Sequence, residues 1–321
     1  MKVLVAGGAG FIGSHYVRSL VGRRYPGYED AHVTVLDKLT YAGSLANLKP
    51  VAEHRHFRFV RGDIADARLL ADVVPGHDVI VNFAAETHVD RSIAGPGDFV
   101  VTNVHGTQLL LQAALKAGVR TVVQVSTDEV YGSITEGSWT ESEPLAPNSP
   151  YAASKAGADL LCRSYHRTYG LDVRVTRCSN NYGPNQHPEK VIPQFLTRLI
   201  DARRVPLYGD GQHTREWLHV DDHCRAIQLV LDKGAAGEVY NVGGGIELTN
   251  RQLAERVLAA CGMGWDMVEH VADRPGHDRR YSVDSGKIRG IGFAPQVPFD
   301  EGLAEVVRWY RDNQEWWCRL I

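Results

Sequence analysis

Short apolar runs recur through the first half of the chain: Lys2–Ala6, Val33–Asp37, Phe57–Arg61, Asp78–Asn82 and Thr121–Ser126. A strand with one wet face alternates apolar and polar side chains. These runs do not alternate cleanly, so the pattern predicts strands buried on both faces. Helix-like stretches lie between them. In Phe11–Val21 the positions Phe11, Ile12, Val17, Leu20 and Val21 are spaced to face inward, and Ala67–Val74 and Asn103–Ala117 are further candidates. Repeated β-α units imply an α/β fold, a doubly wound parallel sheet covered by helices on both faces.

The pattern changes after about Cys178. Residues Asn180–Pro193 are rich in Asn, Pro, Gly and His and read as a structured loop. Val220–Leu231 and Asn250–Ala260 follow as helices, and Glu238–Val242 as one more strand. This predicts a nucleotide-binding domain over residues 1–178, to which a segment of about 219–243 returns, and a smaller α/β substrate-binding domain over 179–321. No internal repeat or long linker interrupts the chain.

Composition narrows the function classes. The 321 residues include 44% hydrophobic and 23% charged side chains, an ordinary globular mixture, and the formal net charge of −3 argues against a nucleic-acid-coating protein. The five cysteines are widely spaced and form no C-x-x-C pair, so neither a zinc site nor a disulfide framework is expected, and a reducing cytoplasm fits. The strand at Lys2 leaves no room for a signal peptide, and no apolar run approaches the roughly 18–20 residues of a membrane helix. No metal, nucleic acid or membrane partner is expected.

Chemistry enters at the first β-α junction. Gly7, Gly10 and Gly13 in Gly7-Gly8-Ala9-Gly10-Phe11-Ile12-Gly13 have G-x-x-G-x-x-G spacing directly after the opening strand. Glycine lets the backbone approach a pyrophosphate, and a helix N-terminus supplies unpaired N–H groups, so this is a Rossmann-like dinucleotide loop. A glycine-rich turn that binds nothing is the bland alternative, and the position after a strand argues against it. Asp37 ends the second strand, where a carboxylate accepts ribose hydroxyls and repels a 2′-phosphate, which favours NAD over NADP. The neighbouring Lys38 would partly offset that repulsion. Asp63, after the third strand, either contacts adenine or caps the next helix.

Tyr151 and Lys155 stand four apart, on one face if helical. Bringing a tyrosine pKa from about 10 to near 7 requires about 4 kcal/mol. One positive charge about 4 Å away, at an effective dielectric near 20, supplies about 4 kcal/mol. On that count Lys155 alone comes close to activating Tyr151. A Y-x-x-x-K pair is common by chance, but the fifth strand runs into Ser126-Thr127-Asp128-Glu129-Val130-Tyr131-Gly132. In doubly wound sheets ligands bind beyond the carboxyl ends of strands, so a hydroxyl and two adjacent acids stand at the expected reaction site.

Together these motifs, with Ala84–Ser92, Asn180–Pro184, Pro188–Pro193, Tyr208–Gly211 and Arg274–Asp278, resemble those of dTDP-glucose 4,6-dehydratases, members of the extended short-chain dehydrogenase/reductases. The resemblance is colinear over almost the whole chain. Related sugar epimerases share the glycine loop and Y-x-x-x-K but are not expected to carry Asp128-Glu129. Related decarboxylases and GDP-mannose dehydratases typically keep the glutamate without the preceding aspartate. Asp128 is therefore the discriminating residue.

The resemblance implies a redox-neutral loss of water from dTDP-glucose to dTDP-4-keto-6-deoxyglucose, with NAD as cofactor. Tyr151 would deprotonate the 4-hydroxyl, Thr127 would orient it, Glu129 would take the C5 proton and Asp128 would protonate the leaving 6-hydroxyl, with Lys155 supporting Tyr151. Phe11, Ile12, Lys38, Leu39, Thr40, Ile64, Ala84, Ala85, Thr102 and Asn181 would join the glycines, Asp37 and Asp63 around the cofactor. Thr87, Asn180, Lys190, Val191, Pro206, Tyr208, Arg215, Asn250, Arg274 and His277 would surround the substrate. A homodimer through Asn103–Ala117 and the Tyr151 helix is implied, with Leu109, Leu110, Leu160 and Leu161 as candidate contacts that could equally be intrachain core. Asn185 and His187 depart from the family, which more often has aromatic residues in this loop. The rivals are a sugar-nucleotide 4-epimerase and a non-catalytic NAD-binding regulator.

Overall fold

The computed structural model describes residues 1–273 and 276–321. Twelve strands form three sheets. The large one contains β1 (Lys2–Ala6), β2 (His32–Asp37), β3 (Phe57–Arg61), β4 (Val79–Asn82), β5 (Thr121–Thr127), β6 (Val173–Cys178) and β10 (Val239–Val242). Its order is β10-β6-β5-β4-β1-β2-β3, and all neighbours are parallel. Chain order reverses at β1, whose neighbours are β2 and β4. This is the switch point where doubly wound sheets open a crevice.

The missing alternation has the expected cause. Val3 and Val5 of β1 enter one core with Val33, Val35, Val79 and Val81, beneath α1 (Phe11–Val21). Leu4 and Ala6 point the other way, into a second core with Ile80 and Val122. That second core is closed by α2 (Ala67–Val73), α3 (Thr107–Ala117) and α4 (Pro150–Tyr169). Both faces are dry, so successive positions Val3 to Ala6 are all apolar. Leu110, expected as a candidate dimer contact, is instead 1% exposed within this core, and Leu109 and Leu161 pack against it. Of the four leucines only Leu160 is well exposed.

Residues Asn180–Pro193 are more regular than a loop. They contain β7 (Asn180–Tyr182), and α5 (Val191–Ile200) begins within them. The strand is short and polar because its partner supplies the ladder: Asn180 pairs with Trp217 of β9 (Thr214–His219), remote in sequence. Strand β11 (Ile246–Thr249) closes this sheet, while β8 (Val205–Tyr208) pairs with β12 (Val268–Val271). α5, α7 (Asn250–Cys261) and α8 (Phe299–Asp312) enclose a separate apolar core around Phe195, Leu253 and Tyr310. Between β9 and β10, α6 (Val220–Lys233) carries the chain back to the large sheet, where Cys224 and Ile227 join the α1 core.

The helix expected from Asn103 starts further upstream. A short turn at Pro96–Phe99 leads into a π-helical segment, Val100–Gly106, before α3. The wider turn rotates side chains off the regular α register, as π segments at functional sites commonly do. Thr102 thereby reaches the cleft described below, and Asn103 is buried.

Candidate active site

One cleft runs along the carboxyl ends of the strands, from Asp63 and Ile64 past Gly7, Gly10 and Gly13 to Tyr151, Lys155 and Asn181. At its centre the glycine loop is backbone packed on backbone. Gly7 has φ +75°, and a Cβ there would lie 2.5 Å from the Ala84 nitrogen. A Cβ on Gly13 would lie 2.3 Å from the Gly7 carbonyl. At Gly10 the nearest atom would be 3.4 Å away, so the missing side chain leaves that part of the cradle open. The first N–H groups of α1, at Phe11, Ile12 and Gly13, have no intrahelical acceptors and stand at this mouth.

Asp37 closes one wall. Its carboxylate accepts the Ala9 and Leu39 N–H groups, each at 2.8 Å, which pins it at the end of β2. Burial pushes its pKa up and those two bonds oppose the shift. The Lys38 ammonium lies 2.7 Å from Asp63 and is engaged there, so it offsets Asp37 less than its position in sequence suggests. Asp63 also accepts the Ala65 N–H, whereas the cap of α2 is Asp66, which accepts from Arg68 and Leu69. These features fit a dinucleotide carrying free ribose hydroxyls.

The reactive end is built by β5 and α4. Ser149 caps α4 through the Ala152 N–H, Pro150 opens it, and Tyr151 falls in its first turn. Lys155 stands one turn on, 4% exposed, and its ammonium donates to the Val125 carbonyl at 2.7 Å. Burial, followed by the nearby Glu129, pushes the Tyr151 phenol well above its ordinary range. Desolvation and Glu129 oppose the pull of a positive charge on Tyr151, and burial lowers the pKa of Lys155 itself.

At the end of β5, Thr127 donates to Asp128 Oδ1 at 3.2 Å and accepts the Glu129 N–H at 3.3 Å. Asp128 is 2% exposed, and its Oδ2 has no partner among the described residues. Burial first, then Glu129 and Glu216, drive its pKa far above the carboxylate range. Glu129 is only partly buried. The two adjacent acids thus stand in different environments, the arrangement that separates an acid from a base.

Several residues that support the site escaped the sequence reading. Asn103 accepts the Glu86 N–H and donates to the Glu86 carbonyl and to Ser154 Oγ, which ties the loop after β4 to the Tyr151 helix. His223 is fully buried, its pKa lowered to about 3 by burial, and its Nδ1 meets Asn181 Oδ1 at 2.9 Å. Asn181 also donates to the Ser179 carbonyl, so its amide is oriented from both ends. Neither residue belongs to a motif with readable spacing; only tertiary packing brings them in.

The proposed substrate residues fall into two groups. Thr87, Asn180 and Lys190 line the cleft, and Lys190 donates to the Thr87 carbonyl at 2.9 Å. Val191, Pro206, Tyr208, Arg215, Asn250 and His277 are not on its wall, nor is Leu39 of the expected cofactor residues. Most of these gather around the strand pair β8–β12 and the segment 276–281. Arg215 is buried, donates to the Asp278 carbonyl at 2.8 Å, and lies over the Tyr281 ring at 4.3 Å. Asn250 donates its N–H to the His213 carbonyl. His277 stacks on His213 at 3.8 Å, and Asp273 contacts both rings. Those three residues bring possible metal-ligand atoms within 4.8 Å of one another, although the bridging carboxylate accounts for the cluster without an ion. Arg274 lies outside the described residues.

A parallel sheet with a glycine cradle at its switch point, and a Tyr-Lys helix beside the neighbouring strand end, defines the extended short-chain dehydrogenase/reductases. Comparisons with known proteins resolve the class further. The family model described as GDP-mannose 4,6 dehydratase matches residues 4–306. A dTDP-glucose 4,6-dehydratase of Streptomyces niveus is 62% identical over 99% of this chain and 95% of its own. The crystal structure of DesIV, a dTDP-glucose 4,6-dehydratase from Streptomyces venezuelae with NAD and TYD bound, superposes with a TM-score of 0.99 at 63% identity, covering 100% of both chains. A UDP-glucose 4-epimerase from Thermotoga maritima also superposes, with a TM-score of 0.90 at 31% identity over 98% of this chain and 100% of its own, so the fold alone does not choose the reaction. At these identities over its full length, the chain belongs to the dTDP-glucose 4,6-dehydratase family.

Proposed function

We propose that the protein is a hydro-lyase that converts dTDP-glucose to dTDP-4-keto-6-deoxyglucose. The observation that carries this reading is the buried Asp128 at the end of β5, its Oδ2 unpartnered among the described residues and its pKa pushed up by burial, beside the more accessible Glu129. An epimerase that oxidises and re-reduces C4 has no use for such an acid.

NAD, when bound, would supply the hydride acceptor for C4 and the hydride returned to C6. Gly7, Gly10 and Gly13 with the start of α1 would hold its pyrophosphate, Asp37 a ribose, and Asp63 and Ile64 the adenine end. Ala84, Ala85, Thr102 and Asn181, which line the same cleft, would hold the rest of the cofactor. Tyr151 removes the 4-hydroxyl proton, with Thr127 bonded to the same oxygen. The resulting 4-ketone acidifies C5, whose proton passes to Glu129. The 6-hydroxyl departs as water with the proton of Asp128, and C5 is reprotonated as C6 is reduced. No net oxidant or reductant is consumed. Asn180, Thr87 and Lys190, on the cleft wall, contact the sugar and phosphates, whereas Tyr208, Arg215, Asn250 and His277 lie off that wall and their roles at the base and diphosphate, with that of Arg274, rest on the resemblance alone.

In domain terms, residues 1–178 with the 219–243 segment form the cofactor half, a division supported by β10 pairing with β6, and 179–321 form most of the substrate half. A homodimer is supported by exposed Ile93, Val100, Val101 and Leu160, which lie on helical segments that pack together. Among the described residues no helix is long and apolar enough to cross a membrane. The five cysteines are all unpaired, which accords with a reducing cytoplasm.

The test is incubation with dTDP-, UDP-, GDP- and CDP-hexoses followed by mass analysis. Loss of one water from dTDP-glucose is expected. A product of unchanged mass identifies a 4-epimerase, and NAD binding without turnover of any sugar identifies a regulator.

A further inference from the structure

We propose that Tyr41, Arg91, His187 and Glu189 form a clasp over the cofactor cleft that sets the rate at which NAD leaves. The inference rests on the reading of that cleft as an NAD site. Three loops are involved. Tyr41 follows β2, Arg91 lies in the short helix Val89–Ala94 after β4, and His187 and Glu189 follow β7. The Arg91 guanidinium sits over the Tyr41 ring, 3.8 Å from its centroid. Its Nε donates to Glu189 at 3.1 Å. The other side of Tyr41 is met edge-on by the His187 ring, with centroids 5.6 Å apart at 87°.

Topology gives these contacts their meaning. β2 and β4 flank β1, and the glycine cradle hangs from the end of β1. A contact from the β2 loop to the β4 loop therefore spans the switch point, above the place where a pyrophosphate rests. Each loop also contributes to the cleft wall: Thr40 and Gly43 from the first, Glu86 and Thr87 from the second, His187 and Glu189 from the third. His187 and Glu189 do both, lining the cleft and meeting the other loops, whereas Tyr41 and Arg91 only tie the loops to one another. A cofactor regenerated within each turnover gains nothing by leaving, and exit requires these loops to separate.

The contacts are modest. A cation–π pair and a half-exposed ion pair together correspond to about 5–30-fold in a rate. The experiment uses the full chain loaded with NAD, with release followed by fluorescence as an excess of etheno-NAD replaces it. Arg91→Met, which removes both contacts, is expected to release NAD about 5–30-fold faster than the unaltered chain, and Tyr41→Leu, which leaves the ion pair, about 2–10-fold faster. Tyr41→Phe keeps the ring and should stay within about twofold, and the Arg91→Met/Tyr41→Leu pair should be far from additive because the two share one contact. If either single variant melts much earlier without cofactor, Glu189→Gln, which removes one arm only, takes its place with an expected increase of about 2–5-fold. Release at the unaltered rate from both Arg91→Met and Tyr41→Leu overturns the clasp, as does equal acceleration by Tyr41→Phe and Tyr41→Leu. An unaltered chain that retains no NAD at all contradicts the cofactor reading of the cleft instead.

Discussion

Replacing Asp128 by Asn tests the assignment of acid and base most directly. The amide keeps the volume of the carboxyl and can still accept from Thr127, so the geometry at the end of β5 should survive. It cannot give a proton to a leaving oxygen. In the unaltered chain the carboxyl is buried, Oδ2 is unpartnered among the described residues, and burial with Glu129 raises its pKa, which favours the protonated form. General-acid assistance is worth about 10²–10⁴-fold, equivalent to about 3–5 kcal/mol of barrier. Formation of the 4-keto-6-deoxy product should fall by that factor, while C4 oxidation, which uses Tyr151, Lys155 and Thr127, continues. Rapid-quench mass analysis should then detect a 4-keto sugar that retains its 6-hydroxyl. Glu129→Gln should instead suppress solvent exchange at C5. A substrate with fluoride at C6 needs less protonation on departure, so it should partly rescue Asp128→Asn and not Glu129→Gln. Equal rescue of both variants, or of neither, refutes the assignment. Stability offers an independent check. The folded carboxyl has a raised pKa, so above about pH 4 the fold holds a proton that the unfolded chain releases, and stability falls as pH rises through that window. Asp128→Asn removes the penalty. Its melting temperature should exceed that of the unaltered chain at neutral pH by roughly 2–6 °C, with the gain vanishing toward pH 4. A gain independent of pH would mean that Asp128 is not held protonated.

Two further outcomes are expected. Arg177 and Asp159 form a buried ion pair at 2.8 Å, and Arg177 also donates to Tyr131, which bonds Asn241 of β10. Arg177→Met strands the Asp159 carboxylate and should cost about 3–5 kcal/mol in urea unfolding; a loss below about 1 kcal/mol would show that the pair is not buried in solution. Leu160→Arg places a charge on the proposed dimer face, where Leu160 is 56% exposed in the single chain. Sedimentation at micromolar concentration should change from dimer to monomer with little change in the melting of the chain itself, and an unaltered chain that already sediments as a monomer rules the dimer out.

Local pattern alone determined much of this protein. Burial of β1 and β4 on both faces shows as apolar runs without alternation, and a phosphate cradle demands glycines at fixed spacing because any Cβ at Gly7 or Gly13 would meet backbone. The adjacency of Asp128 and Glu129, and the Ser149-Pro150 start that sets Tyr151 in the first turn of α4, are likewise covalent facts. What required the tertiary structure depends on groups distant in sequence. β7 is a strand only because β9 pairs with it. Lys38 loses its freedom to Asp63, Asn181 is oriented by His223, and Leu110 belongs to a core that periodicity cannot distinguish from an interface. The protonation of Asp128 was decided in the same way. Two adjacent carboxylic acids are alike in sequence, and only burial of one against the rest of the fold separates acid from base, because desolvation depends on what surrounds a charge.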